Sequence, residues 1–566
     1  MRRMTREEKI ALVRGADQLS IGPIDRLGVP ALTAVAGVMG VSAKDAAGRP
    51  ILATAFPANI GMGATWNAGL LEKEGAVIAA QAGSLGRGQV IGPLTEMIPS
   101  PLSGRAFESY GEDPWLVSRL VAGFVSGVQG EGEIATAVYG GDLKATRAAR
   151  EFDQRPLEAA VTEGGAWAVT SGAVTSGAVT TGALGGHPGN SAGDFLRKYL
   201  GFRGFATVPG AVREPIDEET DREVHAILRA MFSSGLFDRE RKTGVVRESA
   251  EQRTLARSAA AQSIVLLKNE GGLLPLDPKT VRSIAVLGPN AAVHRMAGGN
   301  YTVAARYSEP PLDALRTIFG SGVHLVTSPE DARKADAAIV FAGTGANSEA
   351  ETTDRSSLNL PPEQEDLIAA VAKANPRTIV VLIAGFPVET GRWIGGVPAV
   401  LDAWFPGEEG GHAIADVLTG AVNPSGRLPV GFPGEIFPFG YGLSYTQFEY
   451  SDLAVLPAQV PAGQFVEVSL TVRNTGPREG KETVQLYLRA KGGGAGKLRG
   501  MHLCGIQQVD LKPGEATRAR FTLMSDAMAR FDEEIGDWVQ DQGVFEVLVG
   551  ASSADIRATG TISVTE

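Results

Sequence analysis

The 566-residue chain predicts a multidomain protein of α/β plus β class. Three changes of texture along the sequence predict it. Residues 1 to about 245 alternate short apolar runs with amphipathic ones, the pattern of strands and crossover helices around a parallel sheet. Residues from about 250 to 440 carry continuous apolar runs ended by glycine or proline, as strands buried on both faces do. From about 450 onward the apolar period becomes two, which predicts an antiparallel sandwich. At roughly 100–200 residues per domain the length accommodates about three domains. The textures place them at 1–245, 246–446 and 447–566.

Taken in order, MRRMTREEKIALV at the start is charged and amphipathic, and predicts a helix without the apolar run of a secretory signal. The run 115-WLVSRLVAGFVSGVQ-129 predicts a helix, and 133-EIATAVY-139 and 203-RGFATV-208 predict strands. The segment 194-DFLRKYLGFRG-204 is helical in character. A closing helix follows in 221-DREVHAILRAMFSSGLFD-238, with Val224, Ile227, Leu228 and Met231 on one face. The second region opens with a helix predicted over 251–267. Strands follow at 282–288, 336–343, 377–385 and 397–405, with a helix at 362–375. In the third region, 465–476, 482–490, 516–523 and 544–551 alternate apolar and polar residues as half-exposed strands do.

Composition narrows the function classes. Hydrophobic residues make up 43% and charged residues 21%, an ordinary globular balance. The net charge of −11, with no long Lys/Arg run, argues against a nucleic-acid partner. One cysteine, Cys504, excludes an internal disulfide framework. No apolar stretch reaches the roughly 18–20 residues that span a bilayer, so no membrane partner is expected. Together these features predict a cytoplasmic location, with a homodimer as one possible assembly.

Isolated motifs add little. The pairs 112-ED-113 and 408-EE-409 resemble catalytic acids but read better as framework. The six histidines, His187 and His412 among them, show no metal-ligand spacing, so no metal or other cofactor is expected. The glycine cluster 492-GGGAGKLRG-500 has Leu498 where a phosphate loop needs Ser or Thr. The repeat 170-TSGAVTSGAVTTGALGG-186 reads equally as a loop lining a cleft or as a surface loop of small residues.

Ten strings, in order, carry a resemblance. In the first region they are 52-LATAFPANIGMGATWN-67, 100-SPLSGRAFESYGEDP-114 and 165-GAWAV-169. In the second they are 263-SIVLLKNEGGLLPL-276, 353-TDRSSLNLPPEQ-364, 405-FPGEEGG-411, 422-VNPSGRLPVGFP-433 and 437-FPFGYGLSY-445. The third contributes 472-VRNTGPREGKETVQLYLR-489 and 545-FEVLVGASSADIR-557. Over nearly the whole chain the sequence resembles glycoside hydrolase family 3, the β-glucosidase-like enzymes. The resemblance implies a TIM-like barrel, an α/β sandwich domain and a fibronectin type III-like β-sandwich. The segments that link barrel elements are short here, which makes the expected barrel degenerate.

The resemblance also implies a site, and the sequence departs from it. A retaining glycosidase needs two carboxylates, one to attack the anomeric carbon and one to protonate the leaving oxygen. The family's sugar-binding Asp and His on the first strand correspond to Ala36 and Met39. Its Lys-His pair corresponds to Val138 and Tyr139. The nucleophile position, after 201-GFRGFATV-208, holds Pro209. Asp142 and Glu214 are the carboxylates that a displaced nucleophile could use. Arg105 is retained. The acid/base position, in the loop 347-NSEAETTDR-355, corresponds to Glu351, with Glu349 as the second choice.

This pattern replaces hydroxyl-binding groups by apolar ones, which suits a hydrophobic small-molecule substrate. Three functions are expected in order. The first is a repurposed biosynthetic enzyme of cyclase or lyase type, with Glu351 or Glu349 as acid/base and Arg105 as electrostatic clamp. The second is a β-glycosidase with a displaced nucleophile, and the third a non-catalytic pseudo-glycosidase.

Overall fold

The computed structural model describes the chain except residues 17–18, 99, 141–145, 147, 171–173, 176–177, 180–195, 198–199, 201, 208–217, 240–243, 298, 300, 345–353, 492–499, 541 and 566. In the first region five parallel strands lie side by side: Leu32–Gly37, Gln89–Leu94, Ile134–Val138, Ala168–Thr170 and Phe205–Thr207. Ser20–Ile21 and Val41–Ser42 pair antiparallel with the first of them. The sheet does not close: among the described residues its path ends at Ser20–Ile21 on one side and Phe205–Thr207 on the other. Only ten residues separate Thr207 from the helix Glu218–Ser233. A further parallel strand would need a crossover of a dozen residues or more. Among the described residues the sheet is thus a half-barrel.

Its helices form where the sequence supplies caps and a flat face. Asp113 caps Pro114–Gly130 by accepting from the backbone N–H groups of Trp115 and Leu116, with proline at the first helical position. This helix packs on Ala68–Ser84 at a distance that only glycine permits. A Cβ on Gly127 would stand 1.9 Å from the Glu72 carbonyl oxygen, and one on Gly75 would stand 2.4 Å from that of Phe124.

The second region is a six-stranded sheet in the order Val265–Asn269, Ala399–Asp402, Thr378–Ile383, Ala337–Gly343, Ile284–Leu287, Val323–Leu325. All neighbours are parallel except the first pair. Every residue of Ala337–Gly343 and Thr378–Ile383 is buried, as the continuous apolar runs required. One expectation fails here. The helix predicted to Leu267 stops at Ser263, and Val265–Asn269 is a strand paired antiparallel with Ala399–Asp402. The run SIVLL is apolar throughout, so periodicity cannot separate helix from buried strand, and sheet pairing decides.

The third region is a sandwich of a three-stranded sheet (Phe448–Leu456, Val466–Asn474, Ala516–Leu523) and a five-stranded sheet built around Gly480–Ala490 and Gly543–Gly550. Val466, Val468, Leu470 and Val472 alternate inward and meet Leu486, Val547 and Ile562 in a separate core. The first two regions instead share one continuous apolar core, in which Phe107 of the half-barrel meets Phe405 of the second sheet edge to face. A hairpin of the third region, Ala529–Asp532 with Asp537–Gln540, reaches back to the half-barrel.

Candidate active site at the mouth of the half-barrel

The carboxyl ends of the five parallel strands define a mouth, the usual place for chemistry in such folds. Register fixes which residues meet there: Ala36 lies opposite Ile91, Leu94 opposite Val138, and Val138 opposite Thr170. Thr95 closes one seam, its backbone N–H and hydroxyl both donating to the Val138 carbonyl at 2.9 and 2.8 Å. The Tyr139 N–H closes the next on the Thr170 carbonyl at 3.0 Å.

Met39, Val138 and Tyr139 are buried, with exposures of 3%, 3% and 4%, while Ala36 is half-buried at the end of its strand. Their side chains thus form an apolar wall packed into the core. Asp142, Pro209, Glu349 and Glu351 lie outside the described residues, as does most of the 170–186 repeat.

Sequence reasoning missed Glu96. It follows the strand Gln89–Leu94 by two residues and is half-buried at the mouth. Its carboxylate leans over the next strand: a Cβ on Gly140 would stand 2.0 Å from Glu96 Oε1. The carbonyl of Glu96 accepts from the Ser109 hydroxyl at 2.9 Å, which fixes its backbone. The available signal was modest, a lone carboxylate immediately after an apolar strand of the half-barrel.

Arg105 stands beside it. Its Nε and Nη2 both donate to Glu108 Oε2, at 2.8 and 2.7 Å, and Glu108 is 3% exposed. Burial works against the guanidinium charge, but Glu108, with Glu96 and Tyr301 in support, outweighs it and raises the Arg105 pKa. Arg105 therefore keeps a fixed positive charge, held on Glu108 and within the field of Glu96.

The second domain docks on the same loop. The Gly104 N–H donates to Asp354 Oδ1 at 3.1 Å, and the Arg355 N–H donates to the Leu102 carbonyl at 2.8 Å. Arg355 Nη1 donates to the Ser103 carbonyl, and the guanidinium lies 4.0 Å from the Phe386 ring centroid. Asp354 and Arg355 immediately follow the segment that carries Glu349 and Glu351. Among the described residues no group of three metal-ligating side chains occurs, and no helix is long and apolar enough to cross a membrane. What the described residues can supply is acid–base chemistry: a carboxylate at Glu96 and a fixed cation at Arg105.

Comparison with known proteins agrees with this layout. Residues 6–140 match the glycosyl hydrolase family 3 N terminal domain, 264–451 the glycosyl hydrolase family 3 C-terminal domain, and 482–553 a fibronectin type III-like domain. Thermostable beta-glucosidase B of Acetivibrio thermocellus is 32% identical, over 98% of this chain and 86% of its own. A beta-xylosidase of Formosa agariphila is 30% identical, over 99% and 94%. Among solved structures, the GH3 beta-glucosidase of Bifidobacterium adolescentis superposes with a TM-score of 0.88 at 26% identity, covering 100% of this chain and 95% of the other.

Proposed function

The chain belongs to glycosyl hydrolase family 3, and on that premise we propose that it is a glycoside hydrolase of β-glucosidase type whose second carboxylate has moved. Glu96 is assigned as that carboxylate, Glu351 as the proton donor with Glu349 as the second choice, and Arg105 as the electrostatic clamp. The reading rests on one observation above all. Asp354 and Arg355 are hydrogen-bonded to the loop residues Leu102, Ser103 and Gly104, next to Arg105, and in sequence they immediately follow Glu349 and Glu351.

The chemistry follows from the charges. Proline at 209 can neither attack nor accept a proton, so the pair of carboxylates that glycoside cleavage requires must come from elsewhere. Glu96 supplies a carboxylate at the mouth, and Arg105 a cation on the loop that follows. An acid on the facing loop would protonate the departing oxygen.

The test is release of nitrophenol from a panel of aryl β-glycosides. Glu96→Gln should lower turnover by about 10⁴ or more, the usual loss for a nucleophile. Glu351→Gln should lower it less for dinitrophenyl leaving groups, which need no proton, than for poor ones. No release from any glycoside, with no sugar raising the melting temperature, would overturn the reading.

A second reading is favoured by Ala36, Met39 and Val138, apolar residues at positions where the resemblance implies polar sugar-binding ones. It is acid–base conversion of a hydrophobic small molecule without hydrolysis. Apolar ligands that raise the melting temperature where sugars do not would support it.

A further inference from the structure

Behind the mouth, two acidic side chains of the second domain come together against Thr54 and Ala55 of the half-barrel, where neither has access to water. Glu248 precedes the helix Ala250–Ser263, and its side chain is 3% exposed. Glu408, in the turn before the helix Gly410–Thr419, is fully buried. Adjacent residues of the half-barrel hold them side by side, the Thr54 hydroxyl donating to Glu248 and the Ala55 N–H to Glu408. Two carboxylates set together in a dry site repel each other, so one must carry a proton.

The surroundings identify which one. Glu248 receives the Thr54 hydroxyl on Oε1 at 3.1 Å and the Arg253 guanidinium on Oε2 at 3.1 Å, so it is the anion. Glu408 receives only the Ala55 N–H, on Oε2 at 3.1 Å. Its Oε1 has no donor among the described residues, as expected if it is itself the O–H. The other charges nearby are accounted for. Glu409 is held by His412 Nδ1 at 2.8 Å and by Arg253 Nε at 3.7 Å. Tyr307 lies under Arg253 and stacks on His412, and its hydroxyl donates to Glu309 at 2.8 Å. Arg257 is committed to Asp416 at 2.7 Å. Among the described residues, the half-barrel side chains hydrogen-bonded here are neutral: Thr54, and Gln81, which donates to the Thr54 hydroxyl at 2.8 Å.

We propose that Glu248 and Glu408 share one proton and form a pH-sensitive latch that fastens the half-barrel to the second domain behind the mouth. The latch acts on a strip of backbone that leads to the site. The Glu408 N–H donates to the Ala55 carbonyl at 2.9 Å while Glu408 Oε2 accepts from the Ala55 N–H. The next residue, Phe56, donates its N–H to the Met39 carbonyl at 3.0 Å. Ionising Glu408 would set two anions against each other in a dry site, push the second domain off Ala55, and loosen the wall at Met39.

Burial, then the Glu248 carboxylate, pushes the Glu408 pKa from 4.5 up to about 9. The native state therefore holds a proton that the unfolded chain has already lost between those values. The stability this proton brings is fully present below the ordinary glutamate value and falls as pH climbs towards 9. One extra native proton makes the unfolding constant rise about tenfold per pH unit in that window.

Melting temperatures between pH 6 and 9 test the latch. The wild type should fall steeply across that range, and Glu408→Gln, whose amide donates to Glu248 at every pH, should fall less. Other buried acids contribute equally to both curves, so the difference isolates the pair. Parallel curves would overturn the proposal. Should Glu408→Gln fail to fold, Glu248→Gln gives the same comparison, since the new amide would let Glu408 ionise. Infrared spectra at neutral pH provide an independent readout. The band of one protonated carboxyl should disappear in Glu248→Gln, and an unchanged band would refute the shared proton.

Discussion

Arg427 and Glu482 form an ion pair sealed at the junction of the second and third domains: Nη2 lies 2.6 Å from Oε2, and each side chain is 2% exposed. The other oxygen of Glu482 accepts from the Tyr450 hydroxyl at 2.8 Å and lies 3.6 Å from Arg557. Removing Arg427 leaves a buried anion with weaker partners, which typically costs about 3–5 kcal/mol. Arg427→Met should therefore lower the urea midpoint sharply. The double variant Arg427→Met with Glu482→Leu should recover much of the loss, because an apolar pair carries no desolvation penalty. Equal midpoints for the single and double variants would show that the charge is not what matters.

Gly140 controls the position of Glu96. A methyl group there would meet Glu96 Oε1 at 2.0 Å, and the carboxylate is the free end of a half-buried side chain. Gly140→Ala should leave stability within about 1 kcal/mol, as for a surface change. Hydrolysis of an aryl glycoside should nevertheless drop at least tenfold, because the carboxylate is displaced. A melt and a kinetic run on the same sample check both halves of the statement.

Asp113 predicts an acid-side gain in stability. Burial pushes its carboxyl from 3.8 up to about 6, against the two helix N–H groups it accepts. A raised carboxyl holds its proton in the native state first, so this group's stability share falls as pH rises from about 4 to 6 and stays low above. Asparagine caps as well as aspartate and carries no charge. At pH 7 Asp113→Asn should match or exceed the wild type, and its stability should lack this dependence between pH 4 and 6. Asp113→Ala should lose about 0.5–2 kcal/mol with the cap. Thermal melts across that range distinguish the two.

Contacts of the third-domain hairpin with the half-barrel include three that Phe531 and Trp538 make. The Phe531 N–H donates to Glu151 Oε1 at 2.8 Å, Arg150 lies 5.4 Å from the Phe531 ring, and Arg155 lies 5.4 Å from that of Trp538. Phe531 is 1% exposed, so Phe531→Ala should cost about 3–5 kcal/mol locally. Limited proteolysis should then cut within 529–540 faster than in the wild type, with the rest of the chain unchanged.

Much of the architecture was legible because local pattern and burial coincide. The run 336–343 reads as a strand and forms one over Ala337–Gly343, since its neighbours on both sides and both faces are apolar. The run 362–375 reads as a helix and forms one over Pro362–Ala374. The stretch 264–267 misled because its pattern is consistent with either state, and its partner strand lies more than a hundred residues away. The candidate site was legible only in part. Motif positions marked Ala36, Met39, Val138 and Tyr139, which lie in or just after the strands Leu32–Gly37 and Ile134–Val138. Glu96 was not, because nothing in GPLTEM distinguishes it until Gln89–Leu94 pairs with Ile134–Val138 and sets its carboxylate over Gly140.

The sequence by itself determined the periods, the caps, the order of three textures and the family to which they belong. These are local or cumulative properties, and short-range sterics and burial enforce them. Only the tertiary structure decided that the sheet stays open, that Asp354 and Arg355 reach the Arg105 loop, and that Glu248 meets Glu408. Each of these joins groups distant along the chain. Their strength comes from water excluded where surfaces close, and no sequence window contains that closure.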